Sequence, residues 1–199
     1  MTDLEDHLPS SHQSEPKWLG RCAGLCALLP VAAALLLAIA RDRGPVWRAH
    51  YHAGIDWSGA PHLAFERTLE RSWDRQHPVV PGALEVQSFS ARYDTCLWLE
   101  QSLDLPFMLV SDGVAELRID DRPVLGVRGD AERQTRGMSL PLQPGWHHLQ
   151  VNFSARRWPS IGLYASFAGQ APVALPPDDT LEGLEFSQPT AAGCGAHTD

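Results

Sequence analysis

The residues best placed to do chemistry are three aspartates and a tryptophan. Asp112 stands in Ser111-Asp112-Gly113, between two short apolar runs; Asp120 and Asp121 follow the second run; Trp146 follows Pro144-Gly145. Carboxylates at turns present oxygens that can take sugar hydroxyls or, when several gather, a hard cation. An indole beside a turn offers a flat apolar face on which a sugar ring can stack, and Trp158 and Tyr164 are further candidates for that role. Each residue also has a plainer role. Asp-Gly is a common hairpin pair whose carboxylate bonds its own downstream backbone, and strand aromatics pack cores.

Other chemistry finds little support. His50 and His52 would share one face of a strand, but two ligands do not complete a metal site. His147 and His148 are adjacent and would point oppositely. The four cysteines and nine histidines show no zinc-type spacing. There is no Gly-x-Ser-x-Gly elbow, no phosphate-binding Gly-rich loop, and no pattern pairing two acids as glycoside hydrolysis requires. No catalytic residue, metal site or cofactor is therefore assigned, and the chain reads as a binding protein, not an enzyme. A net charge of −8 argues against nucleic acid as a partner. Cys96 and Cys194 could form a disulfide outside the cytoplasm, although spacing alone does not establish it. Asn152-Phe153-Ser154 fits a glycosylation sequon, but within a predicted strand.

The elements that must carry these residues are strands. Alternation places them at Trp47–Gly54, Ser88–Glu100, Leu105–Val110, Val114–Asp120, Pro123–Val127, Gly137–Leu142, Trp146–Ala155 and Ile161–Phe167. Pro81-Gly82, Asp112-Gly113 and Pro144-Gly145 separate them. Leu105–Leu125 reads as an antiparallel hairpin turning at Asp112-Gly113, with Gly113 free to take a positive φ, followed by a second turn at Asp120–Pro123. His62 to Arg75 carries Leu63, Phe65, Leu69 and Trp73 in neither period cleanly and is the one stretch with some helical character. The pattern predicts an all-β fold, an antiparallel β-sandwich or barrel, preceded by one N-terminal transmembrane helix.

That helix is expected from Cys22 to Ala40, nineteen residues with no charge, which at ~1.5 Å each span roughly 28 Å, near the thickness of a bilayer core. Ala38-Ile39-Ala40 could end a cleaved signal peptide. The length of the apolar run, and the twenty or so residues before it, favour an uncleaved anchor. The expected organisation is a polar leader over 1–20, the anchor over 21–41, a β-domain over 46–186 and a flexible tail over 187–199. Lys17 and Arg21 before the span, against Arg41, Arg43 and Arg48 after it, do not by themselves favour export of the C-terminal part.

A series of short signatures resembles, in order, the anthrax protective-antigen fragment domain family (the PA-fourteen domain). They are Arg48-Ala49-His50-Tyr51-His52, Trp57-Ser58-Gly59-Ala60-Pro61, Phe89-Ser90-Ala91-Arg92-Tyr93, Ser111-Asp112-Gly113 followed by Leu117 to Arg122, Leu142 to His147, and Leu163-Tyr164-Ala165-Ser166. The resemblance covers about Val46 to Leu181. It implies an exported β-sandwich of a kind attached to adhesins, glycosidases and toxins and thought to bind carbohydrate. It also implies that the C-terminal domain lies on the exported side, periplasmic or extracellular.

There is one departure. Sugar-binding members hold Ca²⁺ with two adjacent aspartates, and the second of these aligns with Gly113. The family's calcium site is thus not carried over intact, although Asp112 with Asp120 or Asp121 could still gather. The expectation is a single-pass membrane protein displaying one β-sandwich for carbohydrate or another envelope component. The alternatives are a protein–protein interaction or scaffolding module without a sugar site, and a non-catalytic partner of a polysaccharide enzyme.

Overall fold

The computed structural model describes residues 46–74, 79, 88–129, 132–157, 159–167, 169–177 and 182–195. The leader, the apolar span Cys22–Ala40 and Trp158 lie outside the described residues. Among those described, no helix is long and apolar enough to cross a membrane.

The described residues form twelve strands: β1 Trp47–Ala53, β2 His62–Glu66, β3 Glu70–Ser72, β4 Ser88–Leu99, β5 Leu103–Ser111, β6 Val114–Ile119, β7 Arg122–Arg128, β8 Gln134–Leu142, β9 Gly145–Arg156, β10 Ser160–Ala165, β11 Val173–Ala174 and β12 Leu184–Ser187. They make two antiparallel sheets. The first runs β2-β1-β4-β9-β6-β7, with β12 also paired to β4; the second runs β11-β10-β5-β8, with β3 also paired to β10. All eight strands expected from alternation are present; in β6 and β9 buried apolar residues alternate with more exposed ones, whereas β8 is buried only at Leu142. Four were not expected: β2, β3, β11 and β12. The last two are short, and β3 is exposed at all three positions.

The core lies between the sheets. Trp47, Tyr51, Phe89, Tyr93, Phe107, Leu117 and Phe153 are fully buried there. Trp73 stacks on Phe153 with centroids 5.8 Å apart and meets Phe89 edge-on at 4.9 Å. A buried polar chain crosses this core. Tyr93 Oη donates to Tyr51 Oη (3.2 Å), Tyr51 donates to Glu66 Oε1 (3.2 Å), and Arg71 Nη2 closes on the same carboxylate oxygen at 2.7 Å. Burial pushes both phenols well above their ordinary value, so they stay neutral donors. The stretch suspected of helical character resolves into β2 and β3. Leu63 and Phe65 alternate on an exposed face, whereas Leu69 and Trp73 drop into the core, which is why neither period fitted.

The expected hairpin across Asp112-Gly113 is not a hairpin. β5 pairs with β8 and β10 in the second sheet, and β6 pairs with β7 and β9 in the first. Ser111 to Val114 is an arch that carries the chain from one sheet to the other. The true hairpin is β6–β7. Its two-residue turn places Asp120 at φ 50° and Asp121 at φ 63°, the mirror-image turn whose twist suits paired strands.

Gly113 is needed for a different reason from the one expected. It is absent from the positive-φ residues. A Cβ there would lie 2.7 Å from both Ala155 Cβ and Ser154 O and 2.8 Å from Phe153 Cε2. The arch passes so close to β9 that only glycine fits.

The segment after Ser187, expected to be flexible, is held down as far as Gly195. Thr95 Oγ1 donates to Ser187 O (3.2 Å), Arg48 Nη1 donates to Pro189 O (3.2 Å), and Thr190 bridges to Gly193. Cys194 is joined to Cys96 by a disulfide. The Cys96 side chain points out of the first sheet and is nonetheless buried, at 1% exposure, beneath that segment.

Candidate functional site

The outer face of the first sheet is polar and has two halves. In-register pairing sets its side chains in rows that cross the strands. His52, Ser90, Ser154 and Val114 form one row. Leu63, His50, Arg92, Asn152 and Glu116 form the next, and Phe65, Arg48, Asp94, Gln150 and Arg118 the third. Beyond these, Ser187, Cys96 and His148 line up, then Glu185, Trp98 and Trp146.

The first two rows border an open groove of about 380 Å³ lined by Trp57, Arg92, Val114, Glu116, Asn152 and Ser154, with Phe153 beneath. That volume falls within the ~300–1,000 Å³ typical of small-ligand sites. Trp57 comes from the β1–β2 loop. Gly54 and Gly59 supply left-handed conformations at φ 77° and 78°, and Trp57 itself sits at φ 63°. Such a backbone is an outlier for a bulky aromatic and costs on the order of 1–3 kcal/mol. The loop is braced locally: Ser58 Oγ donates to Asp56 Oδ1 at 2.9 Å, His52 Nδ1 meets Gly59 O at 3.2 Å, and the His52 ring packs edge-on against Trp57 at 5.9 Å. The indole stays 36% exposed. Around the groove, Ser90 Oγ and Asn152 Oδ1 are buried without a hydrogen-bond partner among the described residues, unusual for groups whose burial normally demands one. Glu116 is paired to Arg118 Nη1 at 2.9 Å. Arg92 is exposed and has no ion-pair partner among the described residues.

The other half is closed by the C-terminal segment. Asp94, only 4% exposed, accepts from His148 Nε2 (3.1 Å) and Gln150 Nε2 (3.2 Å), with His50 Nδ1 3.8 Å away. The hydrogen bond to Asp94 holds the His148 imidazole above its ordinary value, whereas burial holds His50 below it. Trp98 and Trp146 sit side by side, centroids 5.5 Å apart, with Trp98 36% exposed. Gly195 lies against Trp146 so closely that a Cβ would come 2.5 Å from the ring.

The four residues singled out in the sequence do not converge. Asp112 spans the arch: Ser160 N–H donates to its Oδ1 (2.6 Å) and Ser160 Oγ to its Oδ2 (2.9 Å). Asp120 takes the His148 N–H on Oδ1 (2.9 Å) and His147 Nδ1 on Oδ2 (2.7 Å), while His147 Nε2 faces Gln143 O at 2.8 Å. Asp121 offers its carbonyl to Arg118 at the exposed hairpin tip. Trp146 is in the Trp98 pair. Tyr164, the other described stacking candidate, donates to Glu70 Oε1 at 2.9 Å.

A calcium ion does not fit at the arch. Both Asp112 carboxylate oxygens are occupied by Ser160, Gly113 supplies no carboxylate, and its surroundings leave no room for one. Among the described residues, no three His, Cys, Asp or Glu side chains gather to hold a metal ion. His50 and His52 share a face, as their spacing implies, but reach different partners, and His147 and His148 point apart.

Sequence reasoning missed the groove. Trp57 and Arg92 both lie in the quoted signatures, but neither was marked as a ligand contact. A tryptophan flanked by Gly54 and Gly59 in a loop was the available signal.

No family model matches this chain and no curated protein does. Solved structures do. The fold is similar to an anti-sigma factor domain-containing protein from Clostridium clariflavum, with 16% identity over 67% of this chain and a TM-score of 0.55. The chain spans under half of that protein's solved length, 46%. It is also similar to a PA14 sugar-binding domain from an RTX adhesin, with 13% identity, 67% of this chain and 96% of that one covered, and a TM-score of 0.54. A third is the Epithelial Adhesin 6 A domain from Candida glabrata, solved with Galβ1-3GlcNAc, with 9% identity, 78% and 93% covered, and a TM-score of 0.54. At these identities the likeness is one of fold: the described domain is an all-β arrangement of antiparallel sheets shared with PA14 domains.

Proposed function

We propose that the chain is a membrane-anchored, exported β-sandwich module that binds carbohydrate or another component of the cell envelope, and that it is not an enzyme. The observation that carries the reading is the open groove: an exposed indole held in a costly backbone conformation beside Arg92, Asn152, Ser154 and Glu116. An aromatic plate with a few planar polar groups beside it suits a pyranose, whose ring has one apolar face and an equatorial rim of hydroxyls. Two solved domains of this fold support the reading, one a sugar-binding domain and the other solved with Galβ1-3GlcNAc. The Cys96–Cys194 disulfide supports an oxidising compartment, and with it export of the domain. The uncharged run Cys22–Ala40 supports the anchor.

The test is a glycan array and envelope-polysaccharide pull-down with the full chain in detergent, with and without Ca²⁺, beside Trp57→Ala. The expected result is calcium-independent binding that falls at least tenfold in the variant. No binding above background to any glycan or envelope fraction would remove the reading.

A second reading, a protein-interaction module, is favoured by Leu63 and Phe65. They are 53% and 48% exposed on β2, the edge strand of the first sheet among the described residues. Crosslinking in membranes and identification of neighbours would support it. Unchanged neighbours after Phe65→Asp would count against it.

A further inference from the structure

We infer that the groove selects a saccharide carrying a carboxylate, with Arg92 as its anchor; this rests on the carbohydrate-binding reading of the same groove. The inference starts from charge. The chain carries a net −8, and a surface arginine in such a protein ordinarily finds an acid. The nearest row partners of Arg92 are His50 on β1 and Asn152 on β9. The acid one strand further on, Glu116, is already paired to Arg118. The acid two residues along β4, Asp94, is nearly buried and accepts from His148 and Gln150. Its second oxygen faces His50. Arg92 therefore has no carboxylate partner among the described residues, and its positive potential reaches far enough to oppose protonation of His50.

The groove thus presents one uncompensated guanidinium beside an exposed indole. A guanidinium offers a planar fork that matches a carboxylate through two parallel hydrogen bonds, whereas a neutral hydroxyl uses only one arm of it. Trp57 would take the apolar face of the ring. The Asn152 amide and Ser154 hydroxyl line the same groove for the ring hydroxyls. A uronic-acid unit combines those demands: one carboxylate, one apolar face and a hydroxyl rim. A free inorganic anion meets only the first demand, and a neutral hexose only the last two.

The test is calorimetric titration of the full chain in detergent with three probes: a neutral hexose oligomer, the corresponding uronic-acid oligomer, and inorganic sulfate. Arg92→Gln, Arg92→Lys and Trp57→Ala are compared, with melting curves to show that each variant folds. The expected result is a preference of tenfold or more for the acidic over the neutral oligomer, weakening with salt. Arg92→Gln should remove that preference by about tenfold to a hundredfold, the scale of a lost charge-assisted hydrogen-bond pair. Arg92→Lys, which keeps the charge but not the fork, should retain only part of it. Trp57→Ala should weaken both oligomers in parallel. Equal affinity for the two oligomers would overturn the carboxylate inference while leaving the carbohydrate reading intact. Binding to sulfate as tight as to the acidic oligomer and indifferent to Trp57→Ala would overturn it in favour of a bare anion site. Binding to none of the three probes would overturn it together with the carbohydrate reading of the groove.

Discussion

Removing the Cys96–Cys194 disulfide should cost this domain a large part of its stability, and the size can be worked from its place in the chain. The bond joins residues 98 apart. In the loop-entropy account, a closed loop of that length restrains the unfolded chain by ~4–5 kcal/mol. A typical domain has only about 5–15 kcal/mol in total. Without the bond, the C-terminal segment would keep the pairing of β12 with β4, the hydrogen bonds from Thr95 to Ser187 and from Arg48 to Pro189, and the contact of Gly195 with Trp146, but no covalent tie. Cys194→Ala is the suitable perturbation. It leaves Cys96, 1% exposed beneath the segment, as a small apolar thiol and does not bury a new polar group. The assay is thermal and denaturant unfolding of wild type and variant, with mass spectrometry to establish that the wild-type bond is formed. For a domain of this size, a loss of that magnitude corresponds to a fall in Tm on the order of 10–15 °C. Hydrogen exchange over residues 184–195 should quicken before the rest of the domain does. A fall of less than about 2 °C, with the bond shown to be intact in the wild type, would refute the reasoning. It would mean that the segment opens independently of the sandwich and that its attachment does not restrain global unfolding.

Gly113→Asp, which places a second acid beside Asp112, should destabilise by at least about 2–3 kcal/mol through overpacking against Ala155, Ser154 and Phe153. Added Ca²⁺ should not restore the melting temperature, and a calcium-dependent rise would refute the packing account. Asp112→Ala, which strands two donors of Ser160, should cost roughly 1.5–3 kcal/mol in denaturant unfolding, equally with and without Ca²⁺. His148 and His50 should tilt the stability curve in opposite senses about their ordinary value of 6.5. The raised His148 contributes fully below that value, and its contribution is lost as pH rises through its folded-state value. The lowered His50 contributes above that value, and its contribution is lost as pH falls through its own. Unfolding titrations from pH 5 to 8.5 should show the alkaline loss in the wild type and its flattening in Asp94→Asn. An unchanged alkaline limb would exclude the His148–Asp94 bond as its source.

Strand identity was legible in the sequence because alternation is a local property. Strands such as β6 and β9 bury alternate residues, and the residue types record it, as in Val151, Phe153 and Ala155. The tight turn at Asp120-Asp121 was legible for the same reason: both residues tolerate left-handed backbone. Partnership between strands was not local. Two alternating runs around an Asp-Gly look the same whether they pair with each other or pass to opposite sheets, and only the assembled sandwich made Ser111–Val114 an arch. The requirement for Gly113 was likewise invisible, since it comes from the approach of β9, some forty residues further along the chain. Edge strand β2 escaped notice because its Leu63 and Phe65 face solvent where a buried stripe would be sought.

The residues that looked chemically active in the sequence were aspartates at turns, and the tertiary structure spends two of them on holding the chain together: Asp112 on Ser160, and Asp120 on His147 and His148. The groove could be found only in three dimensions. Trp57, Arg92, Glu116 and Asn152 come from a loop and three strands, and the in-register pairing of β4, β9 and β6 brings them to one place. A one-dimensional pattern states which face of a strand is apolar. It carries no information about which polar residues become neighbours across strands, because hydrogen-bonded register is set by the fold as a whole.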